Sequence, residues 1–176
     1  MSKKNLIKLH DTDLFDINEE EFDSLVKDLR FTHTGSTGIP DEPLRHWTVE
    51  EAWRDYPDHL VLKRIWKHID EKLCPDLELE VVKSFVNLYS HGDSSWAHVD
   101  QCDYTFIAFV NPFWNINWGG ETLFFSNTKD KVLFGAYPKA GSVVQFSGNI
   151  LHRVAPLSRE AIIPRIGVTF QTNVIS

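Results

Sequence analysis

An α+β protein dominated by β-structure is the fold class this sequence predicts, and three observations predict it. The hydrophobic period changes near residue 76, from the 3.6-residue spacing of helices to the alternation of strands. Six or more short alternating runs then follow, separated by Gly, Pro, Asn and Asp clusters, as in an antiparallel barrel or jelly roll. Aromatics reach 12% of the 176 residues, with six Trp and twelve Phe against one Met. That balance favours a rigid, strand-built core over a helical bundle.

The first part, residues 1–75, reads as helical. Asn18-Glu-Glu-Glu21 has the form of a capping box, and Phe22, Leu25, Val26 and Leu29 follow on one helical face. Thr48-Val-Glu-Glu51 repeats that start signal, and Pro57 interrupts the helix it would begin. Leu62, Ile65, Trp66, Ile69 and Leu73 form a second apolar stripe, which ends near Cys74-Pro75. Between the helices, Thr34-Gly-Ser-Thr-Gly-Ile-Pro40 reads as a flexible loop.

In the second part, residues 76–176, strands are expected over Leu79–Ser90, Tyr104–Val110, Glu121–Phe125, Lys131–Phe134, Ser142–Phe146 and Ile166–Val174. Helices first and strands second imply one domain over 1–176, with the helices packed outside the sheet. The length fits one domain with a substantial core. No internal repeat or low-complexity tract interrupts it.

Composition narrows the function classes. A net charge of −7 repels phosphate backbones at long range, so nucleic-acid binding is disfavoured. Cys74 and Cys102 are too few for a disulfide framework, and the chain has no C-x-x-C zinc spacing. The first residues, Met1-Ser-Lys-Lys-Asn-Leu-Ile-Lys, lack a signal-peptide pattern, and no run of apolar residues is long enough to span a membrane. A cytoplasmic protein is the expectation. Oligomeric state is not legible.

Metal-binding chemistry enters with the H-x-D pattern. A 2-His-1-carboxylate set holds Fe(II) on one face and leaves the other positions open. Residues i and i+2 of an extended segment project to the same side, so an H-x-D pair there can reach one ion. Three such pairs occur. His68-Ile-Asp70 lies in the expected helix, where i and i+2 point roughly 200° apart. His91-Gly-Asp93 sits in a turn, where Asp is common for its own reasons. His98-Val-Asp100 leads into the Tyr104–Val110 strand and is the best placed of the three.

Downstream, Trp118-Gly-Gly-Glu-Thr-Leu-Phe-Phe125 is a tight turn into a strand, and Pro138-Lys-Ala-Gly-Ser-Val-Val-Gln-Phe146 is another. Ser147-Gly-Asn-Ile-Leu-His152 and Arg165-Ile-Gly-Val-Thr-Phe-Gln171 come next. In this order the elements H-x-D, W-G-G-E-T, P-x-x-G-x-x-x-x-F, H and R-x-x-x-T-F resemble the 2-oxoglutarate/Fe(II) oxygenase superfamily, most nearly its prolyl-hydroxylase-like branch. The resemblance covers about residues 80–174. It implies a double-stranded β-helix, a jelly roll with iron at its mouth, and aligns His98, Asp100 and His152 with the metal ligands.

The implied cofactors are Fe(II), 2-oxoglutarate and O2, with ascorbate as an accessory reductant. The implied activity is hydroxylation of an aliphatic C–H, in a prolyl residue of a peptide or protein or in a small amino-acid-like molecule. Halogenases of this superfamily carry a small residue where Asp100 stands, so Asp100 favours hydroxylation.

A buried dicarboxylate needs a cation, and arginine's planar fork suits carboxylate best. Arg165 matches the family's arginine, with Gly167 beside it on the same strand face; Arg153 and Arg159 are less suitable competitors. Asn87 and Tyr89 share a face with Phe85, and Asn-x-Tyr at this place resembles the alkylation-repair dioxygenases, where both touch 2-oxoglutarate. Their spacing is equally served by core residues. Thr169 is a further candidate toward the co-substrate. Trp96, Tyr104, Trp114 and Trp118 read better as core or lid residues than as substrate contacts. Two other functions stay open: a nucleic-acid demethylase of the alkylation-repair type, against which Gln171 and the acidic charge stand, and a cupin-like metal-binding or sensor protein without catalysis.

Overall fold

Two antiparallel sheets hold the strands, and the helices cover one of them. The computed structural model describes residues 6–10, 17–35 and 45–175. The strands are β1 (Ile7–His10), β2 (Thr32–Gly35), β3 (Arg45–Glu50), β4 (Leu79–Tyr89), β5 (Tyr104–Phe109), β6 (Thr122–Phe125), β7 (Val132–Ala136), β8 (Val143–Ser147), β9 (His152–Val154) and β10 (Arg165–Val174). The larger sheet runs β1-β8-β5-β10-β4-β3-β2, and the smaller runs β7-β6-β9. This is the mainly β jelly roll expected from the sequence.

The helices are α1 (Glu19–Lys27), the single turn α2 (Ala52–Asp55) and α3 (Leu60–His68), which continues as a π turn over Ile69–Leu73. Helix α1 starts as its sequence dictates. Asn18 Oδ1 accepts from the Glu21 amide, and the Glu21 carboxylate accepts from the Asn18 amide. Leu25 of α1 and Leu62 and Ile65 of α3 are fully buried. They share one apolar cluster with Val86, Phe106, Val168 and Phe170 from the outer face of the large sheet. Burial of each such side chain contributes about 1.5–3 kcal/mol. Trp53 and Trp66 close on Phe170, with ring centroids 6.1 and 5.2 Å away. The expectation of helices outside the sheet holds.

The helical reading of residues 1–75 needs correction, because β1, β2 and β3 lie there and join both edges of the large sheet. Strand β3 is six residues long, its alternation rests on Trp47 and Val49 alone, and Thr48-Val-Glu-Glu51 overlays it with the pattern of a capping box. Thr48 is no helix cap: it sits in β3 opposite Asn87, and the turn after that strand begins at Glu51 with φ of 52°. Thr34 and Gly35 end β2, and the rest of the expected loop, 36–40, lies outside the described residues. Strand β9 was also missed, since three residues show no period.

Between the sheets, Ile107, Phe109, Val144 and Phe146 pack on Phe124 and Ala136. Beside this core the inner face of the large sheet turns polar and opens into a cavity. Strand β10 is buried on both sides: Ile166, Val168 and Phe170 face the helices, while Arg165, Gly167, Thr169 and Gln171 line the cavity. No helix among the described residues is long and apolar enough to cross a membrane.

Candidate active site

His98 and His152 face each other across an isolated antiparallel bridge. Each backbone amide donates to the other's carbonyl at 3.0 Å, which fixes the two side chains side by side. Two residues on, the Asp100 amide donates to the Gly148 carbonyl at 2.8 Å, tying the H-x-D segment to the approach to His152. Gly148 must be glycine for this: a Cβ there would lie 2.5 Å from the Cys102 carbonyl oxygen and 2.7 Å from its Sγ.

Each ring is oriented through its far nitrogen. His98 Nδ1 lies 2.8 Å from the Trp96 carbonyl oxygen and His152 Nδ1 3.0 Å from that of Ile150. With the protons on Nδ1, both Nε2 lone pairs are free to bind a cation. Thr105 Oγ1 donates to Asp100 Oδ2 at 2.6 Å. The Asp100 carboxylate then sits 3.5 Å from His98 Nε2 through Oδ1 and 3.7 Å from His152 Nε2 through Oδ2. One ligand atom from each residue falls within 4.8 Å of the others. Burial pushes the His152 imidazole below its ordinary range, with Asp100 opposing, so the neutral ring is the favoured form. This donor set fits Fe(II).

A cavity of about 360 Å³ adjoins these three side chains. At its other end Arg165 is 1% exposed. Its Nη2 donates to Thr122 Oγ1 at 3.0 Å, while its buried Nε has no partner. Among the described residues no carboxylate forms an ion pair with it. Its Cζ lies over the Tyr89 and Phe109 rings, 5.3 and 5.1 Å from their centroids. Burial lowers the guanidinium to about 10, with Tyr89 and Glu121 opposing, so it remains charged at neutral pH. Gly120 and Gly167 leave room beside it: a Cβ at these positions would come 3.1 Å from Arg165 Cδ and 3.5 Å from Nη1. A buried cation without a counter-ion, in a recess kept open by glycines, fits the carboxylate of 2-oxoglutarate.

Asn87, Tyr89 and Thr169 complete the residues singled out from the sequence, and all seven line this one cavity. The register brings the arginine end together, pairing Arg165 with Tyr89 and Gly167 with Asn87. The two decoys lie elsewhere: His68 and Asp70 flank the start of the π turn, and Asp93 caps its own turn by accepting from the Ser90 amide. Arg153 leans on Phe125 outside the cavity. Trp96, Tyr104, Trp114 and Trp118 are absent from the lining too; Trp114 and Trp118 pack edge to face, 5.1 Å apart. Sequence reasoning missed His46, Thr48, Thr105 and Thr122. Only Thr122 left a trace, as the last residue of the W-G-G-E-T run.

The sequence profile of the 2OG-Fe(II) oxygenase superfamily matches residues 84–172. No curated protein matches the sequence. Among solved structures, the fold is similar to a Pseudomonas putida prolyl-4-hydroxylase, with a TM-score of 0.63 and 18% identity over 97% of this chain and 94% of that one. A Trichoplax adhaerens prolyl hydroxylase, solved with a hypoxia inducible factor oxygen degradation domain peptide fragment, gives 0.65 and 16% over 97% and 84%. The viral collagen prolyl hydroxylase of Paramecium Bursaria Chlorella virus-1, solved as a 2OG complex, gives 0.60 and 17% over 98% of both chains. At such identities these likenesses speak for the fold, and the profile match speaks for the family. The chain belongs to the 2OG-Fe(II) oxygenase superfamily, oxidoreductases that work with Fe(II), 2-oxoglutarate and O2.

Proposed function

We propose that this protein hydroxylates an aliphatic C–H, and that His98, Asp100 and His152 hold its iron while Arg165 holds the distal carboxylate of 2-oxoglutarate. One observation carries the assignment: the buried, counter-ion-free Arg165 shares a single cavity with the only His/Asp cluster among the described residues able to hold a metal. When bound, iron and 2-oxoglutarate activate O2, coupling decarboxylation of the co-substrate to succinate and CO2 with transfer of an oxygen atom to the substrate. The protein's part is orientation. Trp96 and Ile150 carbonyls aim the two imidazoles, Thr105 aims the carboxylate, and Thr122 steadies the guanidinium. Tyr89 and Asn87 wall the co-substrate on the β4 side, and Thr169 lines the same cavity from β10.

The substrate we infer is a prolyl residue of a peptide or protein, or a small amino-acid-like molecule, in line with the prolyl hydroxylases of similar fold. Cys74 and Cys102 are both free, which supports a reduced, cytoplasmic setting, and 1–176 is read as one oxygenase domain. The test is turnover with Fe(II), 2-oxoglutarate and O2 against proline-containing peptides and free amino acids. Succinate formation together with a product heavier by one oxygen atom is expected. Formaldehyde release from a methylated oligonucleotide, with neither peptide nor amino acid oxidised, would overturn the substrate reading.

A further inference from the structure

Strand β3, from the part of the chain that reads as helical, reaches the cavity through Asn87. The Asn87 Oδ1 accepts from Thr48 Oγ1 at 2.8 Å and from His46 Nε2 at 3.2 Å, the imidazole carrying its proton on Nε2. An amide oxygen has two lone pairs, and both are taken. In this arrangement the NH2 group is what remains. It has no hydrogen-bond partner among the described residues, and Asn87 lines the cavity directly opposite Gly167. Gly167 itself places no side chain opposite that amide, and the Arg165 Nη1 would lie 3.5 Å from a Cβ there. The His46 ring also stacks on Tyr89, with centroids 4.5 Å apart and planes 11° from parallel. One buried residue of β3 thus braces both members of the Asn-x-Tyr pair.

We propose that His46 and Thr48 are positioning residues that hold Asn87 as a donor-only group toward 2-oxoglutarate, and so set the affinity for the co-substrate. The proposal rests on the reading that this cavity takes 2-oxoglutarate. Its physical content is the direction of an amide. Held by β3, Asn87 presents two N–H donors next to a guanidinium, which suits a carboxylate or a keto oxygen. Released, the amide can turn over and present its oxygen to the same anion, which repels it. The β3 contacts thereby tie the strand next to the sheet's edge to recognition of the co-substrate without touching it.

The test is a double-substitution cycle read by anaerobic titration of 2-oxoglutarate into iron-loaded protein, following the visible charge-transfer band of the chelate. Iron binding and thermal melting are measured separately on each variant. Thr48→Val should weaken 2-oxoglutarate by about two- to tenfold, the range of one net hydrogen bond, with iron affinity unchanged. Thr48→Ser should restore it. His46→Phe, which keeps an aromatic ring on Tyr89 but removes the donor, should act in the same direction. In an Asn87→Ala background Thr48→Val should have no further effect, because Thr48 acts only through Asn87.

A merely structural Thr48 would lower the melting temperature alone, or would weaken the co-substrate equally in both backgrounds. Either result overturns the proposal. If the unsubstituted, iron-loaded chain gives no band at all, the cavity is not a 2-oxoglutarate site, and the assignment of Arg165 falls with it.

Discussion

At the triad end of the cavity every outer atom is already spoken for, whereas at the arginine end the decisive group is left wanting. The two imidazoles have their Nδ1 atoms against backbone carbonyls, and Asp100 accepts from Thr105. What remains free converges on one point. Arg165 is the reverse: wholly buried, with one hydrogen bond, a bare Nε and no carboxylate. The difference teaches how each ligand is selected. A cation is captured by donors whose remaining freedom has been removed. An anion is captured by a charge that folding has stripped of water and left uncompensated.

The ends also differ in how they are built. The triad hangs on a two-residue bridge, a three-residue strand and the Gly148 contact. Arg165 begins a ten-residue strand in the middle of a seven-stranded sheet.

The largest effect is expected at the triad. Asp100→Ala should abolish stoichiometric iron binding and turnover, a loss beyond the roughly 10–100-fold typical of removing an outer partner; metal content of the purified variant checks it. Full iron occupancy in that variant would break the contrast at its first term. Arg165→Met should keep the iron and lose 2-oxoglutarate affinity by about tenfold or more. It should also melt no lower than the unsubstituted protein without ligand, because an uncompensated buried charge is gone. Marked destabilisation would mean that Arg165 is a structural cation with its needs already met. Thr105→Val, which leaves Asp100 Oδ2 without its donor, should weaken iron about tenfold while sparing 2-oxoglutarate recognition at Arg165. The smallest effect belongs to a control outside both ends: Asn18→Ala removes the α1 cap, costs about 1 kcal/mol in urea unfolding and leaves both affinities alone.

The same contrast explains what could be read from the sequence. The triad was legible because its logic is local: of three H-x-D pairs, helix geometry rejects His68/Asp70 and turn chemistry weakens His91/Asp93. The order of the downstream elements then selects His98 and Asp100. Arg165 was legible from its place at the head of an alternating strand. The braces were not. Thr122 lies 43 residues from the arginine it bonds, and Thr48 lies 39 from Asn87; strand register joins Thr48 to Asn87, and the packing of one sheet on the other joins Thr122 to Arg165. Six of the seven strands after residue 76 announce themselves by alternating apolar residues. Strand β3 shows the same alternation only through Trp47 and Val49, and the Thr48-Val-Glu-Glu51 capping-box pattern lies across it, so a helix start competes with the strand it belongs to.

The most direct test of the central claim, that one cavity holds iron at one end and a carboxylate-binding arginine at the other, is an anaerobic titration with Fe(II) and 2-oxoglutarate. The account predicts the visible chelate band in the unsubstituted protein. It predicts loss of the band with loss of iron in His98→Ala, and weakened co-substrate binding with iron retained in Arg165→Ala. Absence of the band from folded, iron-loaded protein, or two variants that behave like the parent, would contradict it.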